Sequence, residues 1–198
     1  MLPAPFGARL KQLHPDGSGC GFVAGHHDLP GPYTTPDSML ALRLDSSGAL
    51  EWVDTWSPGN FLFPADDAQS ALAVDGSLWQ AGTLEQRARM YVRRLSPQGS
   101  VLAQEDLSFG PETFVRALIA LPDGGLTLAG ERDGRLFVRA FDALAQPRWS
   151  DELTPGSSPH ASHDSALAFE PRSGRLAACG TRFEYGAQQQ GLVRILAR

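Results

Sequence analysis

Short apolar runs separated by tight polar turns recur along the whole chain. The clearest copy occupies 116–149, where an apolar run, Asp123-Gly124 and a second run ending in Ala129-Gly130 are followed by two further runs. Runs of this length bounded by Gly and Asp are typical of β-strands. An Asp-Gly pair between two of them predicts a hairpin in which both central positions take positive φ. Each copy therefore predicts four short strands.

The pattern occurs four times. A turn followed by Ala-Gly, or by its equivalent Cys-Gly, anchors each copy, at Asp16-Gly17 with Gly25, Asp75-Gly76 with Gly82, Asp123-Gly124 with Gly130, and Ser173-Gly174 with Gly180. An apolar-basic run follows each anchor: LALRL at 40–44, YVRRL at 91–95, FVRAF at 137–141 and LVRIL at 192–196. The spacing of the later anchors is close to that of four-stranded propeller blades, about 40 to 50 residues.

The chain is therefore predicted to be a single all-β domain, residues 1–198, folded as a β-propeller of four four-stranded antiparallel blades. The predicted blades are 7–56, 69–107, 114–153 and 165–198 plus 2–6. The last copy ends after its third strand, and propellers commonly close when one terminus completes a blade begun by the other. The missing N–H groups of Pro3 and Pro5 would face one side, which an outermost strand tolerates. This predicts a closed monomeric ring, with two half-rings paired into eight blades as the alternative.

The segments LPDGGLTLAG at 121–130 and LALRLDSSGALEW at 40–52, with their aligned copies, resemble the bacterial β-propeller repeats of the delta-sixty and SBBP kinds. In those repeats "DG" lies between two strands, the second of which ends in "aG". The fourth copy departs from the pattern with Ser173, and the third has Asp142 to Ala145 where a "dG" turn is expected. The resemblance implies a cell-surface or secreted protein. Residues 1–6 lack the features of a signal peptide. If Met1 is the native start, this predicts a cytoplasmic protein.

Composition excludes some classes of function. The net charge of −5 and the pI near 5.5 argue against nucleic acid as the partner. No apolar run approaches the 18 residues of a membrane helix. The sequence contains no GxSxG, Walker, HExxH or EF-hand pattern, so we predict no catalytic residue, metal or cofactor. A non-enzymatic binding or protein-interaction module is favoured. The alternatives are a hydrolase or lyase with a site at the propeller axis, and a structural segment of a larger cell-surface protein.

In an antiparallel meander, alternate connections emerge at the same end of the sheet. The longer connections of this chain therefore share one end, which we call the long-loop face. Binding residues usually lie on loops that a rigid scaffold positions. The candidate ligand-binding residues on this face are the histidines and aromatics His26, His27, Tyr33, Phe61, Phe63, His160, His163 and Tyr185. Clustered aromatics mark binding surfaces, which suggests a protein or a carbohydrate ligand. The alternative is that these aromatics pack the loops onto the propeller. The histidines match no zinc-ligand spacing, so scattered polar residues are preferred to a metal site.

Three further sets of residues recur at aligned positions. Cys179 replaces the alanines of the other anchors and is predicted to be a small buried core residue, while a disulfide with Cys20 is left open. The third strands carry the arginines Arg43, Arg93, Arg94, Arg139 and Arg194. They could form a ring of cations for an anionic ligand, but we prefer arginine stems that cover apolar surface while the charged heads stay in water. Trp52 and Trp149 are predicted to pack between blades.

Overall fold

The computed structural model describes residues 8–28, 36–56, 68–84, 89–108, 113–132, 135–153, 162–183 and 190–196. Every regular element in these ranges is a β-strand. The described part of the chain contains no helix that is long and apolar enough to cross a membrane.

Within these ranges fifteen strands form four antiparallel sheets, each a simple meander in chain order. The first sheet consists of β1 (Ala8–Pro15), β2 (Gly21–Asp28), β3 (Pro36–Leu44) and β4 (Leu50–Trp56). The second consists of β5 (Gln69–Leu72), β6 (Leu78–Leu84), β7 (Arg89–Leu95) and β8 (Val101–Ser108). The third consists of β9 (Thr113–Ala120), β10 (Leu126–Arg132), β11 (Arg135–Phe141) and β12 (Pro147–Leu153). The fourth consists of β13 (Ser162–Glu170), β14 (Arg175–Phe183) and β15 (Gln190–Leu196).

These sheets are the four predicted blades, and the all-β propeller architecture is confirmed. The fourth sheet has three strands among the described residues. Leu2–Phe6, the segment predicted to complete this sheet, lies outside the described residues. Closure of the ring by that segment therefore stays a prediction.

The tight turns differ in conformation from the predicted hairpin. Gly124 has a φ of 81°, and its N–H donates to Leu121 O at 3.0 Å, but the preceding Asp123 does not have positive φ. A type I turn followed by a single glycine with positive φ is typical of a three-residue hairpin loop. A two-residue loop would need positive φ at both central positions. The expectation that both central positions take positive φ was wrong. Ala145 occupies the glycine position in the third copy and has a φ of 63°.

Neighbouring blades pack through the same pair of faces at each junction. We call the face toward the following blade the forward face, and the face toward the preceding blade the rear face. Phe22 and Ala41 of blade 1 pack on Leu78 and Leu95 of blade 2. The next junction buries Trp79, Val92, Leu126 and Phe141, and the last buries Ala129, Val138, Leu176 and Ala178. The predicted inter-blade packing of Trp52 and Trp149 is confirmed, since both lie against these clusters.

Two anchor glycines lie where no side chain would fit. A Cβ at Gly130 would stand 2.0 Å from Phe114 O, at the point where the β9–β10 register shifts. A Cβ at Gly82 would lie 2.6 Å from the hydroxyl of Tyr91. The anchor glycines therefore permit close approach of a neighbouring strand or ring, as glycine in a strand interior often does. The aligned leucines Leu78, Leu126 and Leu176 are all buried beside them.

Candidate functional site

The two ends of the sheets have different connections. Seven turns of four or five residues join first to second and third to fourth strands at one end, which we call the tight-turn end. At the long-loop face the connections range from two residues at 133–134 to twelve at 57–68. The expectation that connections on this face are long therefore holds for 57–68 but not for 133–134. The shortest connection lies within blade 3, and the longest segments follow blades 1 and 3.

The structure describes only part of the predicted ligand-binding set. Tyr33, Phe61, Phe63, His160 and Tyr185 lie outside the described residues. His26, His27 and His163 are described for their backbone alone. They extend strands rather than occupying loops: His26 pairs with Met39 across the β2–β3 ladder, and His163 pairs with Arg182 in blade 4. These positions lie in the parts of β2 and β13 that adjoin the long connections.

At the tight-turn end, aspartates are used to fix the turns. The carboxylates of Asp16 and Asp45 each accept hydrogen bonds from the backbone N–H and the hydroxyl of the serine two residues later, at 2.6–2.9 Å. Such turns are typical of aspartate. The serine hydroxyls and the backbone N–H groups hold the pKa of both carboxyls below its usual value. These groups are already satisfied locally and are poor candidates for catalysis.

Arg43 and Arg94 lie at equivalent positions and make equivalent contacts. Each guanidinium binds the aspartate of its own first turn, Asp16 at 3.2 Å and Asp75 at 2.6 Å. Each also donates to a carbonyl oxygen of the next blade, Pro97 O at 2.8 Å and Ala143 O at 3.0 Å. The planar guanidinium suits such forked contacts. Burial raises the pKa of Asp75, but the Ser77 hydrogen bonds and Arg94 outweigh that effect, and the pKa is lowered.

Arg93 points to the opposite side of blade 2. Its guanidinium makes a two-pronged ion pair with Asp54 of blade 1 and lies 5.4 Å from the centre of the Trp56 ring. Arg139 holds the aligned position in blade 3, where burial and then the charge of Arg132 lower its pKa. Arg43, Arg93 and Arg94 therefore link adjoining blades through their guanidinium groups. The expectation that the charged heads stay in water is wrong for Arg93 and Arg94, which are buried and bind Asp54 and Asp75.

A cleft of about 350 Å³ opens at the tight-turn end between blades 2 and 3. Val74, Pro122, Gly124 and Ala143 line it with Asp75, Arg94 and Asp123. Its volume falls within the range of ligand pockets. Its charged groups, however, are paired with one another or with neighbours, since Asp123 binds Arg148 and Arg94 binds Asp75. The cleft is a junction between turns and offers few groups for a ligand.

A polar cluster joins the inner strands of blades 1 and 2. The side-chain oxygen of Gln12 accepts from both the N–H and the hydroxyl of Ser70, at 2.6 and 2.5 Å. Because that hydroxyl donates to Gln12, the Nε2–H of His14 donates to Ser70 Oγ at 2.7 Å. Burial lowers the pKa of His14. The imidazole is therefore neutral near pH 7 and acts as a hydrogen-bonding group between strands.

Cys179 corrects a prediction. It is exposed on the forward face of blade 4, whereas the aligned Ala81 and Ala129 are buried. Those alanines are covered by a following blade, and no described blade follows blade 4. Both Cys20 and Cys179 are free thiols. Among the residues that the structure describes, no group of three or more His, Cys, Asp or Glu side chains could hold a metal ion.

Comparison with known proteins supports the architecture. The chain matches the propeller domain of the trilobed protease from Pyrococcus furiosus with a TM-score of 0.59 and 11% identity, covering 98% of this chain and 55% of that one. An exo-β-1,3-galactanase from Clostridium thermocellum gives 0.57 and 12%, with 96% and 47% covered. A protein of unknown function from Bacteroides caccae gives 0.53 and 13%, with 99% and 63% covered. No family model and no curated protein matches the sequence.

The sequence identities are too low to indicate a shared function, so these similarities show the fold alone. The chain is a β-propeller protein and spans about half to two thirds of the length of these solved structures. The matched propellers include enzymes and a protein of unknown function. Fold alone does not separate these activities, because function resides in the site.

Proposed function

We propose that the chain is a non-enzymatic binding or interaction module that uses its long-loop face. The observation that carries the proposal is the asymmetry between the two ends. At the tight-turn end, Asp16, Asp45 and Asp75 are engaged in turns, and Arg43 and Arg94 in blade junctions. That end is a rigid support. The connections that vary widely in length, from two to twelve residues, emerge at the other end, where a rigid scaffold usually presents its binding residues.

The proposed ligand-binding set is the one that the sequence indicates on this face. Tyr33, Phe61, Phe63 and Tyr185 supply aromatic surface, and His26, His27, His160 and His163 supply groups that donate or accept hydrogen bonds. Aromatic residues are enriched in the cores of protein interfaces. A protein or a carbohydrate ligand suits such a surface. We further propose that the repeats are of the delta-sixty and SBBP kinds, which would place the protein at the cell surface or outside the cell.

The direct test selects binders and then maps them. Peptides would be selected from a random display library, and sugars from an oligosaccharide array, on the intact chain. Replacing Phe61 and Tyr185 together by alanine is expected to weaken the selected binders at least about tenfold, since a few aromatic anchors carry most binding energy. The matched control replaces the exposed Val74 and Leu144 at the tight-turn end. Binders sensitive only to the control pair would overturn the assignment of the long-loop face.

The enzyme alternative needs its own measurement. One matched galactanase structure contains β-1,3-galactotriose, which therefore serves as a probe. The proposal predicts no release of galactose from this trisaccharide by the intact chain. Sustained release that is lost when the candidate residues are replaced would establish a hydrolase instead. The third possibility, a structural segment, is distinguished by the absence of any mapped binder.

A further inference from the structure

Blade 4 has an uncovered apolar forward face. Two cross-strand rows form it, Ala166–Cys179–Val193 and Ala168–Ala177–Ile195. Val193 is 72% exposed and Ile195 is 64% exposed. At the position of Val193, blades 2 and 3 have Val92 and Val138, which are at most 1% exposed. The residues are of the kind that pack between blades elsewhere in the molecule, but no described blade covers them.

The rear face of blade 1 is the other uncovered blade surface. Leu13, Val23, Leu42 and Val53 form one apolar row across all four strands of this blade, in which Val23 is buried and the two outer residues are exposed. Leu13 is 67% exposed, whereas Leu118, its equivalent in blade 3, is 9% exposed. Val53 is 46% exposed. The first and the last blade of the described row thus each expose the face that an adjoining blade would bury.

The two uncovered faces are complementary in type. Every junction inside the molecule joins a forward face to a rear face, and the unused pair is the forward face of blade 4 and the rear face of blade 1. Because Val193 and Leu13 remain exposed, these two faces do not cover each other within one copy. This chain aligns with 43–63% of the length of the matched structures, as an arc of a larger ring would.

We propose that a second copy of this chain covers both faces. The forward face of blade 4 packs on the rear face of blade 1 of the second copy, and the reciprocal junction closes an eight-bladed ring around a two-fold axis. Exposed apolar surface of this extent commonly marks an interface. The arrangement repeats the junction used three times within the chain, so it requires no new kind of contact.

Light scattering after gel filtration tests the stoichiometry. The intact chain is expected at twice its 21.3 kDa mass over a dilution series. Val193→Asp and Leu13→Asp are each expected to halve that mass, because each substitution places a carboxylate in both junctions of a homodimer. Val74→Asp, at an 87% exposed turn position, is the control and should leave the mass unchanged. Thermal melting of each variant checks that the fold persists.

Mixing the two variants tests the head-to-tail arrangement. One copy with Val193→Asp and one with Leu13→Asp share a junction in which both faces are intact. Equal amounts should therefore form a heterodimer at concentrations where neither variant pairs with itself. A dimer that survives Leu13→Asp would overturn the arrangement, because blade 4 would then meet blade 4. A monomeric intact chain, or a mass that grows with concentration, would overturn the closed pair.

The thiol of Cys179 reports on the forward face of blade 4 without any substitution in that face. It lies on the forward face of blade 4 and is exposed in a single copy. In the proposed pair it is covered, so its reaction with a thiol reagent should be slow in the intact chain and fast in the Leu13→Asp variant. Equal rates in the two proteins would contradict the proposal even if the masses agreed.

Discussion

The guanidinium of Arg94 in blade 2 donates to the carbonyl oxygen of Ala143 in blade 3 at 3.0 Å. The same guanidinium binds Asp75 at 2.6 Å and lies 5.4 Å from the centre of the Trp79 ring. One side chain therefore links a first turn, a core tryptophan and the next blade. Arg43 repeats the arrangement between blades 1 and 2, with Pro97 O as the acceptor.

Arg94→Met should destabilise the protein strongly. Methionine keeps most of the apolar stem but removes the charge, which leaves Ala143 O without its donor and Asp75 without its ion pair. Arg94 is 7% exposed, whereas Asp75 is largely exposed, so the cost is expected to be about 2–3 kcal/mol, below that of a fully buried pair. Urea unfolding measures the change in the free energy of unfolding.

Arg148→Met is the matched control for that experiment. Arg148 pairs with Asp123 at the same end of the molecule, but both side chains are more than a third exposed. An exposed ion pair contributes little, so the expected loss is below about 1 kcal/mol. Equal losses for the two substitutions would show that the contact of Arg94 with blade 3 has no special weight.

The sequence predicted the third-strand arginines as one set, and the structure divides them into two. Arg93 and Arg94 are consecutive strand residues, so they point to opposite faces. The alternation was readable from the sequence. Their partners were not, because Asp54 is 39 residues away from Arg93, and Ala143 is 49 residues away from Arg94. Repeats predict the blade, whereas contacts across a junction depend on how two blades dock.

Cys179 shows the same limit in another way. Its alignment with Ala81 and Ala129 correctly predicted its strand and register, but its burial depends on the blade beyond it. No local pattern reports whether a following blade is present. The blades themselves were predictable because their signal is local: a glycine turn, an alternating strand and an anchor glycine recur in each copy. The long-loop segments lack such repetition, so the binding residues on them remain proposals.

The free energy of unfolding should decrease at acid pH because the turn aspartates become protonated. Hydrogen bonds from Ser18 and from Ser47 lower the pKa of Asp16 and of Asp45 in the folded state. A carboxyl whose pKa is lower in the folded state than in the unfolded state stabilises the protein at any pH above its unfolded-state pKa. This contribution is lost as the pH falls through the folded-state pKa. The loss is therefore expected below about pH 4. Melting temperatures between neutral and strongly acidic pH measure it.

Ser47→Ala isolates one of these groups. The hydroxyl of Ser47 is the largest cause of the lowered pKa of Asp45, so its removal should raise that pKa toward the usual value. The acid dependence of the melting temperature should become correspondingly weaker. Ser46→Ala, in the same exposed turn, is the control. A carboxyl titration followed by NMR that is the same in both variants would exclude the serine hydroxyl as the cause.

Alanine substitutions at two turn glycines distinguish the stability lost to backbone conformation from the stability lost to steric crowding. Gly17 and Gly99 have φ values of 81° and 84°, which L-residues rarely adopt. A Cβ at Gly17 would meet nothing within 4 Å, whereas one at Gly99 would lie 3.0 Å from the Trp52 ring of blade 1. Gly17→Ala should therefore cost about 1 kcal/mol for conformation alone. Gly99→Ala should cost at least about 1 kcal/mol more, because Trp52 must shift in a packed junction. Chemical unfolding of both variants provides the comparison, and equal costs would mean that the contact between Gly99 and Trp52 is not held firmly.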